Sequence, residues 1–235
     1  MHGPVCQSSC QDFARISCPQ GLRLVMREEG LALVGDGMEL RGDFSRMAPR
    51  LRQDRLAREL LVRAARVRGV RNPVAIDATA GLGEDSLLLA AAGYSVTLYE
   101  RDAVIAALLR DAIRRGADDA RLAAYVERMQ LVEGDGVQGM RELDAPPDVV
   151  LLDPMFPARK KSASVKKKLQ MLQRLERPCE NEDELLRVAM QTGASKVIVK
   201  RPAKGPNLAG ATPSYSLAGK AVRYDVYRVA HLNQV

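Results

Sequence analysis

The stretch Asp77-Ala78-Thr79-Ala80-Gly81-Leu82-Gly83 decides how this chain is read. It follows the short apolar run Val74–Asp77 and precedes an apolar segment, about Glu84 to Ala92, which Gly93 closes. A strand, a glycine turn and a helix in that order open an α/β unit, and a glycine just past a helix is a common stop. Gly81 and Gly83 allow positive φ and close approach of the backbone to a ligand. A dinucleotide fingerprint would place Gly or Ala at the third position to bring a pyrophosphate onto the helix N-terminus. Here that position is Ser86, and Glu84 and Asp85 open the helix. Two carboxylates repel a pyrophosphate. They suit a ligand without phosphate that carries positive charge, as S-adenosylmethionine does with its sulfonium and amino groups.

The pattern repeats downstream. Ser95–Glu100 reads as a second strand, Ala103–Arg115 as a helix, and Leu131–Glu133 as a third strand. Asp148–Asp153 is a fourth, its Val149-Val150-Leu151-Leu152 core apolar on both faces as a central parallel strand is. A basic helix from about Ser162 to Leu175, a helix over Glu182–Gln191 and a fifth strand, Lys196–Lys200, follow. Tyr215–Leu217 and Val222–Val229, on either side of Gly219-Lys220, predict a closing antiparallel hairpin. Alternating β and α units give an open, mostly parallel, Rossmann-like sheet with ligands at the carboxyl ends of its strands. Upstream, Leu22 to Phe44 reads as a small β-meander, and Leu51 to Val67 as one amphipathic helix with an arginine-rich polar face. The expected division is an N-terminal β/helical extension over 1–71 and the α/β domain over 72–235.

Three more sites fall at strand ends. Glu100, beside Arg101, is placed to accept from both hydroxyls of an adenosine ribose. Asp135 and Gly136, in a glycine-flanked turn after the third strand, suit an adenine exocyclic amine. Asp153-Pro154-Met155-Phe156-Pro157 suits methylation of an exocyclic amine, whose lone pair is delocalised into its ring. A carboxylate and a neighbouring carbonyl accepting the amine hydrogens draw the nitrogen toward tetrahedral geometry. Proline fixes φ and helps aim that carbonyl, and Phe156 offers a face for a base to stack on.

These motifs resemble the class I S-adenosylmethionine-dependent methyltransferases that act on amines. More narrowly, 77–83, 152–157 with the lysine segment after it, and Val199-Lys200-Arg201-Pro202 resemble the RsmJ family of small-subunit ribosomal RNA guanine-N2 methyltransferases. The resemblance implies methyl transfer to the N2 of a specific guanosine near the 3′ end of 16S ribosomal RNA. The cofactor contacts it implies are Glu84, Asp85, Glu100, Arg101, Asp135, Gly136 and Asp153. The residues themselves add Asp77, Gly81 and Gly83 as expected cofactor contacts and Asp153, Pro154 and Phe156 as expected catalytic residues. Relatives carry Arg in place of Glu84 and a serine pair in place of Asp135-Gly136, so backbone contacts are what carry over there. The same amine chemistry also serves adenine N6 or a protein amide. A non-catalytic RNA-binding protein, and a nicotinamide-dependent oxidoreductase, are the readings from other classes.

Composition agrees. The 235 residues are 46% hydrophobic and 28% charged, which suits a globular chain with a sizeable core. Lys+Arg 36 against Asp+Glu 29 gives a net charge of +7, and the excess is local. Ten arginines lie between Arg41 and Arg71, and six basic residues with no acidic one lie between Arg159 and Lys168. Local basic excess predicts a polyanionic partner, here RNA or a small ribosomal subunit. Lys160, Lys161, Lys166, Lys167, Lys168, Lys200 and Arg201 are the expected phosphate contacts. No apolar run reaches the roughly 18–20 residues of a membrane helix, and Met1 to Gln11 lacks signal-peptide order. Cys6, Cys10, Cys18 and Cys179 match no zinc spacing, so free thiols, no metal and a cytoplasmic location are expected.

Overall fold

A computed structural model describes residues 13–154, 171, 175 and 181–229. The chain opens with an antiparallel three-stranded sheet: β1 (Arg23–Arg27), β2 (Gly30–Gly35) and β3 (Met38–Leu40). Three short helices follow, α1 (Ala48–Leu51), α2 (Gln53–Leu56) and α3 (Leu60–Ala65). The main sheet is then laid down by β4 (Val74–Asp77), α4 (Glu84–Ala91), β5 (Ser95–Glu100), α5 (Ala103–Ala117), α6 (Ala123–Val126), β6 (Met129–Glu133), α7 (Gly136–Arg141) and β7 (Val149–Leu152). It is completed by α8 (Glu182–Gln191), β8 (Lys196–Pro202), β9 (Tyr215–Ala218) and β10 (Val222–Arg228).

The seven strands run in the order β6-β5-β4-β7-β8-β10-β9. The five from β4 to β8 are parallel, and β10 pairs antiparallel with both β8 and β9. The chain builds outward from β4 to β6, returns to the other side of β4, and continues through β7. That reversal leaves a crevice at the carboxyl ends of β4 and β7, where ligands of such sheets bind. Alternate residues of each strand face opposite sides. Ala75, Val149, Leu151 and Ile198 pack with α3 and α4 on one face. Ile76, Val150, Leu152, Val197 and Val199 pack with α7 and α8 on the other. The three-stranded sheet sits on the outside of α5, where Leu31, Leu33 and Leu40 meet Val104, Ile105 and Leu108. Buried Asp111 ties the two together. It accepts from the Leu31 amide at 2.9 Å and pairs with Arg114 and Arg115 of its own helix.

One element differs from its sequence reading. The single helix expected over Leu51 to Val67 is divided into α1, α2 and α3 by extended residues at Arg52 (ψ 136°) and Glu59 (ψ 131°). The apolar spacing does mark the buried side, since Leu51, Leu56, Leu61, Ala64 and Ala65 all enter the core. Each short piece seats one to three of them, and the backbone is extended between the pieces. Across the bend the Arg50 guanidinium makes a bidentate pair with Glu59, both contacts at 2.8 Å. The basic helix expected from Ser162 to Leu175 lies outside the described residues except for Met171 and Leu175, which are helical and buried. No helix among the described residues is long and apolar enough to cross a membrane.

Candidate active site

At the carboxyl end of β4 the chain must turn sharply to enter α4. Gly81 (φ 55°) and Gly83 (φ 75°) take left-handed conformations there. A side chain at position 83 would also meet Leu109 Cδ1 at 2.6 Å. The turn is held from below by Asp77, 2% exposed, whose two oxygens accept from the Thr79 amide at 3.2 Å and the Ser86 hydroxyl at 2.5 Å. Burial pushes the Asp77 carboxyl up to about 7, against the pull of those two hydrogen bonds; Asp85 and Asp153 add to the rise.

Glu100, at the end of β5, holds the turn from the side. One oxygen accepts from the Gly81 amide at 2.9 Å and the other from the Asp102 amide at 2.8 Å. Burial raises its pKa, and the two amide bonds oppose the rise. After β6, Asp135 caps α7 by accepting from the Val137 and Gln138 amides. Gly136 lies so close to the β4 turn that a Cβ would stand 2.2 Å from the Ala78 carbonyl oxygen. Asp153 leaves the end of β7, and its amide donates to the Thr79 hydroxyl at 2.6 Å, which joins the β7 exit to the β4 turn.

These strand ends enclose one cleft, with a cavity volume of about 260 Å³. Asp77, Gly81, Gly83, Glu84, Asp85, Glu100, Arg101, Asp135, Gly136, Asp153 and Pro154 all line it. Phe156 and Lys160, Lys161, Lys166, Lys167 and Lys168 lie outside the described residues. The two remaining basic residues stand differently from the sequence reading. Lys200, expected on RNA phosphates, points into the cleft with its Nζ 2.7 Å from Asp85 Oδ2 and 2.9 Å from Asp153 Oδ2. Burial works against the ammonium, but Asp153 and Asp85 outweigh it and raise its pKa. Arg201 is 1% exposed, with its Nε donating to the Pro206 carbonyl at 2.8 Å and its guanidinium 3.7 Å from Glu182. Along a strand, neighbouring side chains take opposite faces, so Arg201 turns into the fold where Lys200 turns into the cleft. Thr79 and Tyr99 also line the cleft and buried Ser86 supports it through Asp77, and sequence reasoning gave the three no role. Their contribution is a hydroxyl or ring at a place that only the tertiary fold defines.

The donor set is predominantly anionic, with carboxylates from four strand ends and the first turn of α4. The SAM_MT family model, of SAM-dependent methyltransferases, matches residues 14–229. Ribosomal RNA small subunit methyltransferase J of Thioalkalivibrio sulfidiphilus is 42% identical over 214 residues, covering 88% of this chain and 84% of the relative. The chain belongs to this methyltransferase J family. The Neisseria gonorrhoeae member is 40% identical over 200 residues, 84% of this chain and 79% of its own. A crystal structure of a SAM-dependent methyltransferase from Neisseria gonorrhoeae superposes with a TM-score of 0.71 at 32% identity, covering 92% of this chain and 86% of that one. As a methyltransferase J family member the protein is an enzyme, and its cofactor is S-adenosylmethionine. The cleft fits that cofactor on its own chemistry. Carboxylates line the cleft as counter-charge for a sulfonium and an ammonium, and a side chain at Gly81 would meet nothing within 4 Å, so its bare backbone leaves room for close approach.

Proposed function

We propose that the protein transfers the methyl group of S-adenosylmethionine to the exocyclic N2 of a guanosine in 16S ribosomal RNA, with residues 72–235 as the transferase unit. The observation that carries the reading is the union of the Asp153-Pro154 exit with the β4 glycine turn in one cleft, through the Asp153–Thr79 hydrogen bond. Glu100 and Asp135 would hold the ribose and adenine ends of the cofactor. Glu84 and Asp85 would face its cationic end, and the Arg101 backbone would border the adenosine. The cofactor supplies an electrophilic methyl on a sulfonium; as the amine nitrogen takes it, one C–S bond is exchanged for one N–C bond and the amine releases one proton.

The chain's own part is alignment. Asp153 and the Pro154 carbonyl accept the amine hydrogens and turn the nitrogen lone pair toward the methyl, while Phe156 stacks the flipped base. Lys160, Lys161, Lys166, Lys167 and Lys168 contact the RNA backbone and position it without specifying sequence. The test is transfer of labelled methyl to small subunits and to naked 16S RNA from cells lacking the enzyme, with nucleoside analysis. N2-methylguanosine at one site is the expected product. Methyladenosine would move the substrate to adenine N6, and absence of any labelled nucleoside with cofactor binding intact would overturn the RNA reading.

A further inference from the structure

Neither holding the cofactor nor accepting the amine makes use of Lys200, although it occupies the space between the two. Its ammonium bridges Asp85, in the first turn of α4, and Asp153, at the exit of β7. The side chain is 26% exposed, while Asp85 is 15% and Asp153 38% exposed. An ammonium has three N–H donors and no acceptor, so two of the three are committed to carboxylates in this arrangement. A long lysine side chain fixed in this way gives up rotamer freedom that a contact to a mobile phosphate does not demand.

Two things follow for Asp153. The contact falls on Oδ2, which leaves Oδ1 as the oxygen toward which an incoming amine hydrogen can be directed. The contact also offsets crowding of like charge. Asp153 is faced by Asp85 from α4, Asp77 from β4, Tyr224 from β10, and Lys200 and Arg201 from β8. Carboxylates gathered in a low-dielectric cleft favour protonation of one of their number, and a protonated Asp153 is a poor acceptor.

We propose that Lys200 is a positioning residue for methyl transfer, clamping one oxygen of Asp153 against Asp85 so that the other faces the acceptor amine. The inference rests on the reading of Asp153 as amine acceptor. Its test compares the full-length wild type with Lys200→Met, Lys200→Arg and Asp153→Ala, measuring kcat and the KM for RNA across roughly pH 6 to 9. Lys200→Met should lose about tenfold or more in kcat near neutral pH, with the RNA KM within about twofold of wild type. The acidic limb of its kcat profile should move to higher pH, because the main counter-charge of Asp153 is then gone and only the weaker influence of Arg201 still opposes its protonation. Lys200→Arg, which keeps the charge, should restore the limb while recovering only part of kcat.

A wild-type kcat profile for Lys200→Met overturns the inference. So does a loss confined to the RNA KM that shrinks as salt is raised, which would make Lys200 a phosphate contact. If Lys200→Met does not fold, Lys200→Arg decides: lower kcat at an unchanged RNA KM supports positioning, and a defect in RNA KM alone overturns it. Asp153→Ala separates the two layers. Wild-type turnover in that variant removes the acceptor reading itself, whereas a dead Asp153→Ala beside an unaffected Lys200→Met removes only the role of Lys200.

Discussion

The two sides of the cleft satisfy their carboxylates by different means. On the β4–β5 side, Asp77 and Glu100 are 2% and 7% exposed and take their hydrogen bonds from the amides of Thr79, Gly81 and Asp102 and from the Ser86 hydroxyl. On the β7–β8 side, Asp153 and Asp85 are partly open and meet the Lys200 ammonium. Backbone amides are fixed once the strands are paired, so the first arrangement is a cradle set by the fold. An ion pair at a cleft edge that engages one carboxylate oxygen leaves the other to meet an incoming N–H donor. On the roles proposed above, the binding half is built of backbone geometry and the reacting half of charge. The two halves should respond differently to mutation.

The largest effect should come from the reacting half. Asp153→Ala is expected to lower kcat by ~100-fold or more. Lys200 keeps Asp85 as its partner in that variant, so no ammonium is left orphaned and the fold should survive. Calorimetric titration with S-adenosylmethionine should give an affinity within a few-fold of wild type. A large loss of cofactor affinity would break the division of labour between the two sides.

The cradle should fail in the opposite way. In Gly136→Ala the new Cβ would meet the Ala78 carbonyl oxygen at 2.2 Å, with the Ala78 carbonyl carbon and Cα both at 2.9 Å. All three atoms are backbone, so no rotamer relieves the clash, and α7 has to move away from the β4 turn. A cost of about 1–3 kcal/mol is expected in urea denaturation. Cofactor affinity should fall with it. Wild-type affinity in this variant would show that the cradle adjusts, and the contrast with the β7–β8 side would be lost.

The same contrast explains what could be read from sequence. Backbone-built features leave local marks. Val149-Val150-Leu151-Leu152 is apolar at every position because β7 is buried on both faces, and the strand is found at 149–152. The helix over Glu182–Gln191 carries its own cap, with Asn181 accepting from the Glu184 amide, and its observed limits are the expected ones. The glycines at 81 and 83, the N-terminal meander and the closing hairpin are legible for the same reason. Charge-built features leave no such mark. Lys200 and Arg201 are adjacent cations in sequence, and only the strand register and the neighbouring elements send one to two aspartates and the other into the interior. The bond from Asp153 to Thr79 joins residues 74 positions apart, so no local pattern records it. In the Leu51–Val67 segment, four-residue spacing marks a buried face but carries no information on continuity. The breaks fall at Arg52 and Glu59, whose extended backbone the spacing of apolar residues does not record.

The last effect is read as a slope with pH rather than as a loss of turnover or of cofactor affinity, and it sharpens the picture of the cradle side. Asp77 is held by an amide and a hydroxyl and no cation, so burial raises its carboxyl to about 7, from an ordinary aspartate value near 3.9 in the unfolded chain. The folded protein therefore binds the proton more tightly than the unfolded chain does. The stability contributed by protonated Asp77 is fully present below about pH 4 and is lost as pH rises from there toward 7. Asp77→Asn should remove this slope. An asparagine oxygen can still accept from the Thr79 amide, and its NH2 can donate to the Ser86 hydroxyl oxygen, so both contacts persist without a charge. Unfolding free energies of the two proteins, measured from about pH 4 to 8, should converge in acid and separate as pH rises, with wild type the less stable. One unit of pKa displacement is worth about 1.4 kcal/mol, so even part of the expected displacement is measurable. Parallel curves would mean that Asp77 carries its charge at no cost. The amides of the turn would then act as a counter-charge for it, and the two sides of the cleft would be alike after all.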